Sequence, residues 1–242
     1  MKENGNSFVG FSKELFEFLG NLEKNNSIEW FHKNKLSYKE SIVEPAKSFI
    51  REMGPFLNRL NPAIRTEPKF NETIMRLNKD MRFAKGDPYR AFLLIHFGRF
   101  KMDSEFYLYF QPDSFGTGIF INKNDEPNLY FKRNLSRYSN EIKEVFRSYE
   151  INDNYALSDL ENDTETIVKK FNGDKHLEKL QDIDLVILQK NRITPQKILF
   201  SDSIVTETIK MITKLYPLYC FAISPQPLKE LQRFEDEFGK IV

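Results

Sequence analysis

At 242 residues the chain is long enough to bury a substantial core, as one large domain or two small ones. Hydrophobic residues make up 40% and charged residues 29%, and 36 basic against 35 acidic side chains leave a net charge of +1. That balance argues against a protein that coats DNA non-specifically, which carries a strong basic excess, while a local basic patch stays open. The one cysteine, Cys220, excludes an intramolecular disulfide and fits a reducing compartment.

Taken in order, the chain opens on Met1-Lys2-Glu3-Asn4-Gly5-Asn6-Ser7, polar and without the apolar core of a signal peptide. No apolar run approaches the roughly 20 residues that span a bilayer, so a cytoplasmic protein without membrane contact is expected. Residues 1–11 read as a tail. Ser12 then precedes Leu15, Phe16, Phe18, Leu19 and Leu22 at helical spacing, and Asn25-Asn26 breaks that helix. Ser27 caps a second helix carrying Ile28, Trp30, Phe31 and His32. Pro45 starts another, whose stripe is Phe49, Ile50, Met53, Phe56, Leu57 and Leu60. Gly54-Pro55 should bend or interrupt it, and Asn61-Pro62 should end it.

A β-rich block follows. Thr73–Leu77, Ala91–Phe97, Glu105–Gln111 and Phe115–Ile121 read as strands, and the short linkers 99–104 and 112–114 suit hairpins of an antiparallel meander. Helix is expected again over Asn128–Tyr149. Ile151–Asp163 is polar and ambiguous, and the acid-rich run Asp153–Glu165, which lacks calcium-loop spacing, reads as a solvated surface. Asp184–Gln189 is a short strand candidate. Ser201/Asp202 opens a last helix buried along Ile204, Val205, Ile209, Ile212 and Leu215, which Pro217 should end or kink before a polar C-terminal segment. Helices, then strands, then helices predict one α+β domain over residues 12–242, with a central, mainly antiparallel sheet packed by N-terminal and C-terminal helices. The 23 phenylalanines point to a core of flat, bulky rings.

Three segments carry a family resemblance. They are Phe18-Leu19, Asn25-Asn26, Glu29-Trp30-Phe31, Tyr38 and Glu44-Pro45; then Arg76 with Asp80-Met81-Arg82-Phe83-Ala84-Lys85 and Pro88-Tyr89-Arg90; then Gly116-Thr117-Gly118-Ile119-Phe120. On these, residues 12–221 resemble the family catalogued as domain of unknown function 2461. The family's central pattern looks like Arg-Phe-Ser-Lys-Asp-Lys-x-Pro-Tyr-Lys. Here the loop is one residue shorter and a second lysine is missing, which puts any role of that lysine in doubt. The resemblance implies a single α+β fold and brings no established activity.

The stretch 73–118 also packs charged residues at short, uneven intervals. Arg76, Arg82, Lys85 and Arg90 stand beside Asp80 and Asp87. Guanidinium forks and a lysine can clamp a phosphate or carboxylate, and the Gly86 turn can bring backbone N–H groups close. Equally, Arg76 or Arg82 can pair with Asp80 and pin the loop ahead of the first long strand. No Walker or dinucleotide spacing occurs around Gly98, Gly116 and Gly118.

His32, His96 and His176 are scattered, without His-x-x-x-His or Cys-x-x-Cys spacing, so no metal and no cofactor are expected. His96 reads as a sheet histidine facing core or cleft, and Cys220 as a buried thiol. Tyr107, Tyr109, Arg99 and Lys101 could stack bases on a sheet face, or form an ordinary solvated or helix-covered one.

The candidate ligand-binding residues are therefore Arg76, Asp80, Arg82, Lys85, Tyr89, Arg90 and His96, with no catalytic residue assigned. The expectation is a binding module for an anionic small molecule: a nucleotide, phosphate or carboxylate. The alternatives are an enzyme on a phosphorylated or carboxylated substrate, with His96 or Asp80 as acid–base group, and a protein-interaction module with an exposed apolar patch.

Overall fold

Packing begins ahead of the first helix, where Phe8 and Phe11 are already buried. The computed structural model describes residues 7–83, 85–161, 166–193 and 197–239. The start of the polar tail (residues 1–6), position 84 of the central loop and residues 162–165 of the acid-rich run lie outside the described residues.

Helix α1 (Lys13–Lys24) buries the expected stripe of Leu15, Phe16, Phe18, Leu19 and Leu22. In α2 (Ile28–Lys33) the Ser27 hydroxyl accepts from the Trp30 N–H at 3.1 Å, capping a free donor of the first turn. Next come α3 (Lys35–Tyr38), a π-helical turn (Lys39–Val43) and α4 (Glu44–Leu60). The wide turn closes where the Glu44 N–H reaches the Lys39 carbonyl, so Pro45 falls at the start of regular helix, where no N–H is needed.

Gly54-Pro55 does not interrupt α4. One interior proline costs about 3 kcal/mol. Burial of Ala46, Phe49, Ile50, Met53, Leu57 and Leu60 outweighs it, since each large apolar side chain contributes about 1.5–3 kcal/mol.

Residues 73–77 form no strand. Ile74 makes isolated bridges to Ile95 and Phe70, and the chain then leaves to meet the segment around Tyr89 through an Asn78–Tyr89 bridge. A turn closed by the Thr73 N–H on the Lys69 carbonyl, with Asn71 at φ 66°, bends the backbone before a ladder can extend.

The strands are β1 (Leu93–Phe97), β2 (Glu105–Gln111), β3 (Ser114–Asn122), β4 (Tyr155–Asp159), β5 (Thr166–Val168) and β6 (Leu185–Ile193). They form a six-stranded antiparallel sheet in the order β1-β2-β3-β6-β4-β5, which includes the expected β1–β3 meander. The ambiguous region after Ile151 supplies β4, paired in register with β6 from Tyr155–Lys190 to Asp159–Val186.

The helix expected over 128–149 is two, α5 (Phe131–Arg137) and α6 (Ser139–Ser148), parted at Tyr138 (φ −125°, ψ 36°). The buried Asn134 amide donates to the carbonyls of Phe221 and Ser224, so α5 takes its direction from a tertiary contact. After α7 (Gly173–His176), α8 (Ser203–Ile223) runs through Pro217 instead of ending there. Leu215, Tyr216 and Leu218–Ala222 are fully buried, and that packing outweighs one lost hydrogen bond. The polar C-terminal segment is helix α9 (Pro227–Phe238), anchored by buried Phe234. The fold is α+β, with helices flanking the sheet.

The chain forms two compact units that interleave in sequence. One comprises the described residues of Met1–Phe97, Leu108–Gly116 and Arg192–Thr208. Its core is a ring cluster: Phe8–Phe49 at 5.3 Å, Phe11–Phe110 at 4.6 Å and Phe110–Phe115 at 4.8 Å.

The other comprises the described residues of Gly98–Tyr107, Thr117–Asn191 and Ile209–Val242. There a Cβ on Gly118 would collide with the Leu188 carbonyl, so only glycine permits that strand approach. The unit is tied by Arg99, whose guanidinium takes Asp103 in a fork at 2.8 and 2.9 Å and donates to the carbonyls of Ile223 and Asn128. Asp103 is fully buried. Burial opposes the Arg99 charge, but the hydrogen bonds and charge of Asp103 outweigh it and its pKa is raised. Asp103→Ala strands that cation, so the variant should lose about 3–5 kcal/mol in urea unfolding, whereas Lys101→Ala, a change at an exposed neighbour, should stay within about 0.5 kcal/mol.

Candidate functional site

One side chain joins the N-terminal helices to the central loop. The Asn26 amide donates to the Tyr89 carbonyl at 3.0 Å and accepts from the Tyr89 N–H at 3.1 Å, across 63 residues of sequence. The amide satisfies both backbone groups of Tyr89 as a neighbouring strand would. The Tyr89 ring then stacks on Phe31 at 4.2 Å and 13°, and Phe31 meets Tyr38 at 5.1 Å. Phe18 packs on Trp30 and Tyr38 at 5.5 and 5.8 Å. The neighbouring Asn-Asn and Trp-Phe motifs and the distant Pro-Tyr motif are thus one assembly.

Within the loop, Lys79 and Arg90 donate from their backbones to the carbonyls of Pro88 and Leu77 at 2.8 and 2.7 Å. The Arg90 guanidinium donates to the Arg76 and Asn78 carbonyls, bracing both arms from inside. Gly86 turns the tip at φ +81°, with open space around it. Asp80 accepts from the Arg82 backbone at 3.1 Å and from its Nε and Nη2 at 2.9 and 2.7 Å. These bonds hold the Asp80 carboxyl below its usual range and raise the Arg82 pKa. The Arg82 guanidinium also lies over the Phe83 ring at 5.5 Å.

Beside this loop is a cleft of about 420 Å³ lined by Phe31, His32, Lys35, Tyr38, Phe70, Arg76, Leu77, Asn78 and Tyr89. Of the residues singled out in the sequence it gathers Arg76 and Tyr89. Asp80 and Arg82 pair with each other, Arg90 is bound to backbone, Lys85 is exposed, and His96 sits on β1 with its N–H on the Thr73 carbonyl; none of these lines the cleft. His32, Lys35, Tyr38, Phe70 and Asn78 were missed as site residues. Tyr38 belongs to the first segment of the resemblance, but nothing in the local pattern distinguishes Lys35 from a solvated helix lysine.

Burial pushes the Tyr38 hydroxyl up to about 12 against the opposing pull of Arg76, so at neutral pH it is a donor. Burial, and then the Glu29 carboxylate, also raise the pKa of Tyr89.

Other candidates take structural roles. Tyr107 is buried and donates its hydroxyl to Gln189 at 3.2 Å, Tyr109 packs on Phe92 at 4.9 Å, and Arg99 is committed to Asp103. No open stacking face is built from them. Cys220 is buried, and burial raises its pKa. Among the described residues no group of three His, Cys, Asp or Glu side chains could hold a metal ion, and no helix is long and apolar enough to cross a membrane.

Two predictions follow from this geometry. Asn26→Ala removes both bonds to Tyr89, so the Tyr89 amide should lose about 1–3 kcal/mol of protection in hydrogen exchange. Asp80 is the second test. Its folded pKa is lowered, so the bracing it gives is present above the ordinary aspartate pKa and is lost as pH falls through the lowered value. In an NMR titration Asp80 should take up its proton at lower pH than exposed aspartates, and Arg82→Gln should move it toward their range, the bond from the backbone at position 82 keeping part of the shift.

No curated protein matches the chain. The family model described as Conserved hypothetical protein (DUF2461) matches residues 14–221, and the chain belongs to that family.

Proposed function

We propose that the protein is a binding module for an anionic small molecule, held in the cleft by Lys35, Arg76 and His32. One observation carries this reading. Three basic side chains line a single concavity, no carboxylate lines it with them, and among the described residues none of the three has an ion-pair partner. Bringing the unpaired Lys35 and Arg76 charges to one wall costs mutual repulsion, which an anion relieves. Tyr38 adds a neutral donor, and the π-helical turn beginning at Lys39 follows directly on the wall that carries Lys35 and Tyr38. Such turns recur at functional sites.

The anion site is therefore moved from the loop tip to its flank. The enzyme alternative has less support. Asp80 is held by Arg82, and a carboxylate of lowered pKa is a weaker general base. The tip itself favours a second reading, a protein-interaction module. Phe83 is 86% exposed and Met81 45%, and the stack with Arg82 orders the Phe83 ring before any partner arrives. We place the protein in the cytoplasm on the strength of its lone, buried cysteine.

Calorimetric titration with pyrophosphate, inorganic phosphate and citrate tests the reading. Saturable binding that weakens with salt is expected. Arg76→Ala and Lys35→Ala should each weaken it about tenfold or more, the worth of one charge-assisted hydrogen bond. Arg82→Ala, which touches no part of the cleft wall, should leave it within about twofold. Equal affinity in Arg76→Ala and the parent, or no saturable binding of any of the three anions, overturns the proposal.

A further inference from the structure

We infer that the anion is carried on a flat heterocycle, so that the ligand class of the cleft is the mononucleotide. The inference rests on the anion reading above and draws on the part of the wall which that reading leaves unused. A space of about 420 Å³ is several times what a bare phosphate fills and lies within the range of sites for whole organic ligands, about 300–1,000 Å³.

Four of the lining residues are aromatic: Phe31, Tyr38, Phe70 and Tyr89. Phe31 and Tyr89 are both half-buried and lie nearly parallel at 4.2 Å, a ready-made stack that a further planar ring can extend. The platform is rigid. Asn26 holds the Tyr89 backbone and Phe31 is braced by Tyr38 at 5.1 Å, so little side-chain freedom is lost on binding. Phe70, half-buried in the same lining, makes no ring contact among the described residues. A half-buried phenylalanine on a cleft wall, without a ring of its own to meet, suits a ligand ring.

The third element is Asn78. It lines the cleft; its backbone carbonyl is taken by Arg90, while its side-chain amide has no hydrogen-bond partner among the described residues. An amide offers a donor and an acceptor side by side, the pairing that matches the edge of a nucleobase. A simple aryl group has no such edge, and a sugar phosphate has no face for the aromatic wall. Cations for the phosphate, rings for the base and an amide for its edge together describe a nucleoside monophosphate.

The test compares inorganic phosphate, ribose 5-phosphate, phenyl phosphate and the four common ribonucleoside monophosphates, each titrated into the full chain by calorimetry. At least one nucleotide should bind about tenfold or more tighter than ribose 5-phosphate, the contribution expected from one stacked base. Phe70→Leu and Tyr89→Leu should each shrink that difference while leaving ribose 5-phosphate within about twofold. Arg76→Ala should weaken both compounds together.

Two further variants keep the result interpretable if one ring substitution disturbs folding. Asn78→Ala should lower the spread among the four bases without changing ribose 5-phosphate, and Asn78→Gln should restore part of it. Ribose 5-phosphate equal to every nucleotide, or phenyl phosphate as tight as the best of them, overturns the inference and leaves the anion site standing. Absence of binding by all the probes overturns both.

Discussion

The cleft exists because one amide side chain replaces a strand. Asn26, between α1 and α2, satisfies both backbone groups of Tyr89. Two neutral hydrogen bonds are a modest stabilisation, about 1–3 kcal/mol. Their effect is large because of where they act. They set the height of Tyr89 against Phe31, and the two rings line the concavity together with Arg76, Leu77 and Asn78. Without the amide, Tyr89 would have to choose between water for its backbone and burial for its ring.

The charges of the loop divide by what each can reach. Asp80 and Arg82 are two residues apart and satisfy each other locally, at the exposed tip, where the pair orders the backbone more than it stabilises the protein. Arg90 turns inward to two carbonyls and holds the arms of the loop together. Among the described residues Arg76 has no ion-pair partner, and it lines the concavity with Lys35. A cluster that looks uniform in sequence thus contains a local brace, an internal tie, an exposed lysine at Lys85 and a cation on the cleft wall, and of the four only Arg76 lines the concavity.

Much of the architecture was legible because its signals are periodic. The stripe of α1, the span of β2 and the cap at Ser27 follow from local residue order, and the structure carries each of them. The misreadings share one cause. Pro55 was expected to bend or interrupt its helix, Pro217 to end or kink its own, and Thr73–Leu77 to form a strand; the helices continue and the strand does not form, because local rules carry no measure of burial or of competing partners. Met53 and Leu57 on one side, and Leu215–Ala222 on the other, outweigh a missing N–H. Ile74 finds Ile95 only briefly because Asn78 and Tyr89 compete for the same chain. The site was half legible for the same reason. Arg76 and Tyr89 stand in a conspicuous cluster, while Lys35 is one lysine among many until folding places it on the same wall.

The two units show what separates a structural cation from an available one. In the second unit, Arg99 has a buried carboxylate and two carbonyls, and Lys123 donates its ammonium to the carbonyls of Leu180 and Gln181, with Asp184 at 4.0 Å. Burial lowers the Lys123 pKa, which leaves the ammonium dependent on those oxygens to remain charged. Both are saturated, so neither has anything to offer a ligand. Arg76 and Lys35 in the first unit have the opposite arrangement: solvent access, aromatic neighbours and no counter-charge on the wall. A fold that supplies full partners to the cations it buries, and none to the two it places in a cleft, distributes its carboxylates selectively. That selectivity, more than the number of basic residues in the central loop, is the physical case for an anion at Arg76.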